Sequence, residues 1–161
     1  MQAGYLAFCR EFPDGGEYQA VLDACTENDE VSHARWLLNA FGKTTDIKEI
    51  DGDYISEKSI IVCGSLKVSG KIECKGYVQA GCGIEAGYGI EAGCGIEAGY
   101  GIEAGWGIEA GDGIKAGASF GIYAGLSERV TNYEYRTVKA KSKPDNLMCG
   151  EFVEVEENNA N

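Results

Sequence analysis

From residue 81 to residue 116 the chain reads GCGIEA GYGIEA GCGIEA GYGIEA GWGIEA GDGIKA, and a looser GASFGIYAG closes the run at Gly125. The phase of this phrase extends backwards. Branched aliphatic residues stand at Ile60, Leu66, Ile72, Val78, Ile84, Ile90, Ile96, Ile102, Ile108 and Ile114, in unbroken steps of six. Two residues after each comes Val62, Val68 or Cys74, and then an alanine at every sixth position from Ala80 to Ala116. Between the two stands Lys67, Glu73, Gln79, Glu85, Glu91, Glu97, Glu103, Glu109 or Lys115; Ile61 departs from this rule. A period of six does not fit the roughly 3.6 residues of a helical turn, whereas apolar, polar, apolar is the in-out-in alternation of a short strand. Each hexad therefore reads as a three-residue strand followed by a corner, where glycine supplies the positive φ that a Cβ opposes.

A coil of such strands and corners is a β-solenoid, or β-helix. Its Ile and Ala point inward, and successive turns stack about 4.8 Å apart through backbone hydrogen bonds. Three hexads per turn give a triangular coil and two give a flatter one. The Cys82/Cys94 and Tyr88/Tyr100 pairs would form like-with-like ladders only in the flat form. The triangle is preferred, because it fills one interior with Ile and Ala while the flat coil leaves a thin core. A flexible Gly-rich linker would not hold an aliphatic residue in phase, and strands of three residues pair too little for an antiparallel meander.

Open sheet edges at both ends of a solenoid call for caps. Residues 1–52 read as an α-helical N-terminal cap, 53–125 as the solenoid, and 126–161 as a C-terminal β-hairpin cap with an acidic tail. In the first cap, Tyr18, Val21, Leu22 and Cys25 have helical spacing over residues 17–25. A second helix over 29–41 carries Val31, Ala34, Leu38 and Phe41 on one face, with Thr26 or Asn28 as N-cap, Gly42 as stop and Trp36 as an anchor. Residues 129–141 and 147–155 read as two strands hinged at Pro144-Asp145-Asn146, with Val153 and Val155 on one face.

Composition narrows the function. Lys plus Arg is 14 and Asp plus Glu is 26, a formal charge of −12, which opposes direct binding to nucleic acid or anionic lipid and favours a basic partner. Twenty-four glycines with two prolines do not make collagen. The seven cysteines form no C-x-x-C pair and read as reduced thiols, and His33 is the sole histidine, so no cofactor or metal centre is expected. No apolar run has the length of a membrane span and the N-terminus lacks a signal-peptide pattern, which points to the cytoplasm. The glycines never precede a Lys-Ser/Thr pair, so no phosphate loop is read, and the regular carboxylates lack the contrast of environments an acid-base pair needs. The chain is read as a non-enzyme.

Glu85, Glu91, Glu97, Glu103, Glu109 and Asp112 occur with no Lys, Arg or His between Gln79 and Ile114. On a three-sided coil this is one carboxylate per roughly 1.6 Å of axis, close to the spacing of about 1.7 Å per phosphate in duplex DNA. A stability argument alone would alternate the signs, so the uniform sign suggests a binding surface, with a solvated face or simple duplication as the plain alternatives. Tyr88, Tyr100 and Trp106 follow corner glycines, as do Cys82, Cys94 and Asp112, and either plug the corners or add contact area outside.

The inward aliphatic phase resembles the hexapeptide left-handed β-helix of acyltransferases, although the small corner residue of that family is replaced here by Tyr, Cys or Trp. The segment GSLKVSGKIECKGYVQAG, residues 64–81, resembles the bactofilin-type polymerising solenoids. The full pattern, Gly-Ile-Glu-Ala-Gly-aromatic after Leu-Lys-Val-Ser-Gly-x-Ile-Glu-Cys, is similar to uncharacterised proteins of bacterial prophages and mobile elements. None of these resemblances carries over a site residue; the anionic stretch, in the mobile-element setting that the last one implies, points to an acidic inhibitor of a nucleic-acid-binding host protein, a DNA mimic of the anti-CRISPR or anti-restriction kind, acting in the bacterial cytoplasm. Its partner would be a nuclease or CRISPR effector met through Glu85, Glu91, Glu97, Glu103, Glu109, Asp112, Tyr88, Tyr100 and Trp106. A bactofilin-like self-assembling element, a homodimer and, last, an acyltransferase-like enzyme are the alternatives.

Overall fold

The computed structural model describes residue 10, residues 12–129 and residues 131–156. The hexads wind as the aliphatic phase requires. Leu66 lies opposite Ile84, and Ile84 opposite Ile102, so one turn takes 18 residues, or three hexads. Every strand pairing is parallel. The coil is three-sided and makes about six turns, as its two six-stranded sheets and one four-stranded sheet record. Sheet A runs from Ile47–Ile50 through Ser65–Val68, Ile84–Ala86, Ile102–Ala104 and Ile122–Ala124 to Leu147–Cys149. Sheet B runs from Tyr54–Ser56 through Ile72–Cys74, Ile90–Ala92, Ile108–Ala110 and Thr137–Ala140 to Glu151–Glu154. Sheet C holds Ile60–Val62, Val78–Ala80, Ile96–Ala98 and Ile114–Lys115. The inward Ile and Ala of all three sheets form one continuous core, which extends to Val138 and Ala140. Cys82/Cys94 and Tyr88/Tyr100 stand at different corners, so they form no ladder.

The corner glycines work differently from the sequence reading. Among the described residues the glycines of positive φ are Gly15, Gly42, Gly52, Gly125 and Gly150, and none lies in the hexads between 81 and 117. Close approach is the constraint there. A Cβ on Gly105 would collide with the carbonyl oxygen of Gly87 one turn below, whereas at Gly113 it would meet nothing within 4 Å. The first glycine of each corner is thus held by the spacing between turns, which brings backbone against backbone.

At the C-terminal end the strand read over 129–141 is confined to Thr137–Ala140, with a 3-10 turn at Tyr133–Arg136 before it, the strand read over 147–155 is divided into Leu147–Cys149 and Glu151–Glu154, and they do not form a hairpin. Thr137–Ala140 pairs in parallel with Ile108–Ala110 and with Glu151–Glu154, and Leu147–Cys149 adds in parallel to Ile122–Ala124. Local alternation fixes which residues face inward and says nothing of the partner strand. Burial of Val138 and Ala140 on the existing core selects continuation of the coil.

Among the described residues the helices α1 (Tyr18–Glu27) and α2 (Val31–Phe41) precede the coil. They dock on the side of sheet C. Ile61 points outward, which explains its departure from the polar rule: it is 2% exposed, in a small second core with Leu22, Ala34, Leu38 and Cys63. Gln19 closes the outermost strand of sheet C, its Nε2 donating to the Ile61 carbonyl (2.8 Å) and its Oε1 accepting from the Cys63 N–H (2.9 Å). These are backbone groups that a preceding turn would otherwise satisfy. Gly42 ends α2 with φ 80°. Thr26 is no N-cap; it is buried within α1 and its hydroxyl donates to the Asp23 carbonyl. Asn28 is the C-cap of α1, and Glu30 stands at the start of α2 without a side-chain cap bond. Trp36 and Phe41 are exposed, and Phe41 only meets the ring of Tyr18 edge-on at 6.4 Å.

A candidate interaction edge

The 18-residue turn assigns each corner position to one of three edges. Between sheets A and B the Tyr88 N–H donates to the Gly70 carbonyl and the Trp106 N–H to the Tyr88 carbonyl, stacking Tyr88 and Trp106 on consecutive turns. Their rings lie 4.7 Å apart at 37°, and Trp106 lies 5.4 Å from the ring of Tyr135, at 51°. Tyr135 comes from the 3-10 turn Tyr133–Arg136, part of an insertion between the fifth-turn strands of sheets A and B. Exposures of 47%, 37% and 48% show that these rings are outside the solenoid and not corner plugs. Cys82, by contrast, is a buried corner residue.

Glutamates flank this aromatic ladder on both sides. In sheet A, Glu85 is opposite Glu103; in sheet B, Glu73, Glu91 and Glu109 stand in one column. Each column meets lysine: Lys67 lies 3.4 Å from Glu85, and Lys139 lies 3.0 Å from Glu109. Glu91 and Glu103 have no ion-pair partner among the described residues. The Lys71 ammonium 2.7 Å from Glu73 holds the Glu73 carboxyl below the usual range, and Glu73 in turn raises Lys71.

The edge therefore gathers Glu85, Glu91, Glu103, Glu109, Tyr88 and Trp106, and leaves out the rest of the residues expected in the site. Glu97 faces out from sheet C, 3.0 Å from Arg35. Asp112 is at the edge between sheets B and C, 2.9 Å from Lys141. Tyr100 is at the edge between C and A, stacked on Phe120 at 4.5 Å with Lys43 Nζ 3.9 Å from its ring. The acidic residues do not make one column, because consecutive hexads fall on consecutive faces. Tyr135, Lys67 and Lys139 belong to the edge but escaped the sequence reading: the insertion breaks the six-residue phase before Tyr135, and the lysines become neighbours only once the turn length is known.

An open groove of about 650 Å³ runs along sheet C, lined among others by Arg35, Tyr77, Glu97, Asp112, Lys115 and Lys143. Its charges are of both signs; Arg35 pairs with Glu97, and Asp112 pairs with Lys141. Among the described residues no group of three or more His, Cys, Asp or Glu is placed to hold a metal ion. Burial pushes the Cys74 thiol up to about 11, the opposite of what a nucleophile needs. No helix is long and apolar enough to cross a membrane among the described residues.

Residues 1–44 match the model of the YdhT N-terminal domain, which covers both helices and none of the solenoid strands. No curated protein and no solved structure matches the chain.

Proposed function

We propose that the protein is a non-enzymatic interaction module whose A/B edge docks on the basic surface of a nucleic-acid-binding protein, in the place the nucleic acid would occupy. The observation that supports this reading is the edge itself, with exposed Tyr88 and Trp106 stacked at 4.7 Å between a Glu85–Glu103 column and a Glu91–Glu109 column. In these two rows, which repeat about every 4.8 Å, Glu85 and Glu109 are paired with Lys67 and Lys139, while Glu91 and Glu103 are left to meet a basic surface as a short stretch of nucleic acid backbone would. The aromatic rungs add contact area and faces for guanidinium groups. In its narrowest form the module is a DNA mimic of phage or mobile-element origin, an inhibitor of a nuclease or CRISPR effector in the bacterial cytoplasm.

The test is competition. Protein captured from a lysate of the native cells should bind nucleic acid, and duplex DNA should displace it from this chain. Changing Glu85, Glu91, Glu103 and Glu109 to Gln should weaken capture while leaving the circular dichroism spectrum intact. A captured partner that holds DNA and this chain at once would remove the reading.

A second reading, end-to-end self-assembly, is favoured by the outward column of sheet B. That column is charged through its middle, at Glu73, Glu91, Glu109 and Lys139, and apolar only at its ends, Ile55 (58% exposed) and Val153 (43% exposed). Parallel stacking of one copy on another would bring Val153 beside Ile55 of the next, a favourable cross-strand pair. Filaments in electron micrographs that vanish on Val153→Lys would support it. A monomer at high concentration would exclude it.

A further inference from the structure

Aromatic side chains at two of the three edges are already covered by cations from the N-terminal segment. At the B/C edge the Arg35 guanidinium lies 4.9 Å from the ring centroid of Tyr77; its Nη2 is 3.0 Å from Glu97, and its Nε donates to Gln79 Oε1 at 2.9 Å. At the C/A edge Lys43 Nζ sits 3.9 Å from the Tyr100 ring. At the A/B edge the Tyr88 and Trp106 rings stack on each other, and Glu91 and Glu103 beside them carry no ion pair among the described residues. The lysines of this edge, Lys67 and Lys139, are paired with Glu85 and Glu109, which leaves the rings with Glu91 and Glu103 beside them to take a cation from elsewhere.

We infer that the A/B edge binds arginine side chains projected by an α-helix of a partner protein, in the way that α2 places Arg35 on sheet C. The inference deepens the function proposed above and rests on it. Arginine fits better than lysine. Its planar guanidinium stacks on a ring while its in-plane N–H groups donate to a carboxylate, and Arg35 does both at once. A helix fits better than an extended strand. The rungs repeat about every 4.8 Å. Helical residues three and four apart advance about 4.5 and 6.0 Å, so arginines at i, i+3 and i+7 follow the rungs Tyr88, Trp106 and Tyr135. Alternate residues of a strand advance about 6.7 Å and fall out of step within two rungs. The opposite charges of helix and edge steer the encounter.

The probe is a synthetic alanine-rich helical peptide with arginines at i, i+3 and i+7, titrated into the full chain carrying Trp36→Phe, which leaves Trp106 as its one tryptophan. Saturable change in Trp106 fluorescence is expected, weakening as salt rises. A lysine peptide of the same design should bind about tenfold more weakly. Tyr88→Ala, and Glu91→Gln with Glu103→Gln, should each weaken binding by about tenfold, with unchanged thermal midpoints. Asp112→Asn, on another edge, should change nothing. Equal binding by the lysine peptide or by a proline-broken peptide of the same length and charge would overturn the inference, as would an unresponsive Trp106. If the peptide fails while a captured partner is still displaced by DNA, the helix inference falls alone. If the peptide binds as described and the captured partner ignores DNA, the nucleic-acid-mimic reading falls and the arginine site stands.

Discussion

Arg35 Nη2 lies 3.0 Å from a carboxylate oxygen of Glu97, 62 residues further along the chain. The pair ties α2 to the middle of sheet C, so the helices are a lateral buttress on the rod and only at the Ile60–Val62 strand do they close an end. Which interaction holds this buttress is a question of magnitude. Both side chains of the ion pair are 37% exposed, so solvent screening limits the pair to less than about 1 kcal/mol. A double-mutant cycle of Arg35→Ala and Glu97→Gln, read by urea unfolding, should return a coupling below that figure.

Ile61 should matter more. It is buried against Leu22, Ala34 and Leu38, and Ile61→Ala is expected to cost about 2–4 kcal/mol. Hydrogen exchange can localise the loss. Amides of α1 and α2 should become less protected while those of the central strands keep their protection. Uniform loss across both parts would show that helices and coil unfold as one unit.

The corner glycines should separate into two classes. Gly105→Ala drives a Cβ into the Gly87 carbonyl, and relief requires the turns to part, so the thermal midpoint should fall sharply. At Gly113 the added methyl meets nothing within 4 Å and φ is not positive, so Gly113→Ala should be neutral or slightly stabilising. Equal effects at the two sites would refute close approach as the reason for glycine.

Thiol chemistry gives a readout that depends on pH. Cys74 faces inward and burial raises its thiol to about 11, so the folded chain binds that proton more tightly than the unfolded chain does. The associated stability is present below the ordinary thiol range and is lost as pH rises towards about 11. At pH 8, maleimide labelling followed by mass spectrometry should modify the half-buried Cys94 well before Cys74. Prompt labelling of Cys74 would mean that the core opens locally.

How much of this was legible beforehand follows from the range of each signal. The inward phase from Ile60 to Ile114 is a local pattern, and it alone fixed strands, corners and core. Turn length is not local: the twelve-residue Cys and Tyr pairs argued for a flat coil, and only the volume of Ile and Ala spoke for the triangle. The partner of Val138 was invisible, because it lies 30 residues after Ile108, out of step with the 18-residue turn through an insertion. The glutamates read as one stripe for the same reason: a hexad count without the turn length cannot say which face receives Glu91 and which Glu97. The departure at Ile61 was visible and had a physical meaning, an outward position covered by another element.

Because three phrases complete one revolution, copy number is tied to orientation. Gene slippage that inserted one GxGIEA unit would rotate everything downstream by about 120°, carrying Trp106 away from Tyr88 and exchanging the neighbours of every glutamate beyond it. Insertion of three would lengthen the rod and preserve every alignment. Variants of this rod that differ in length should therefore do so in steps of 18 residues.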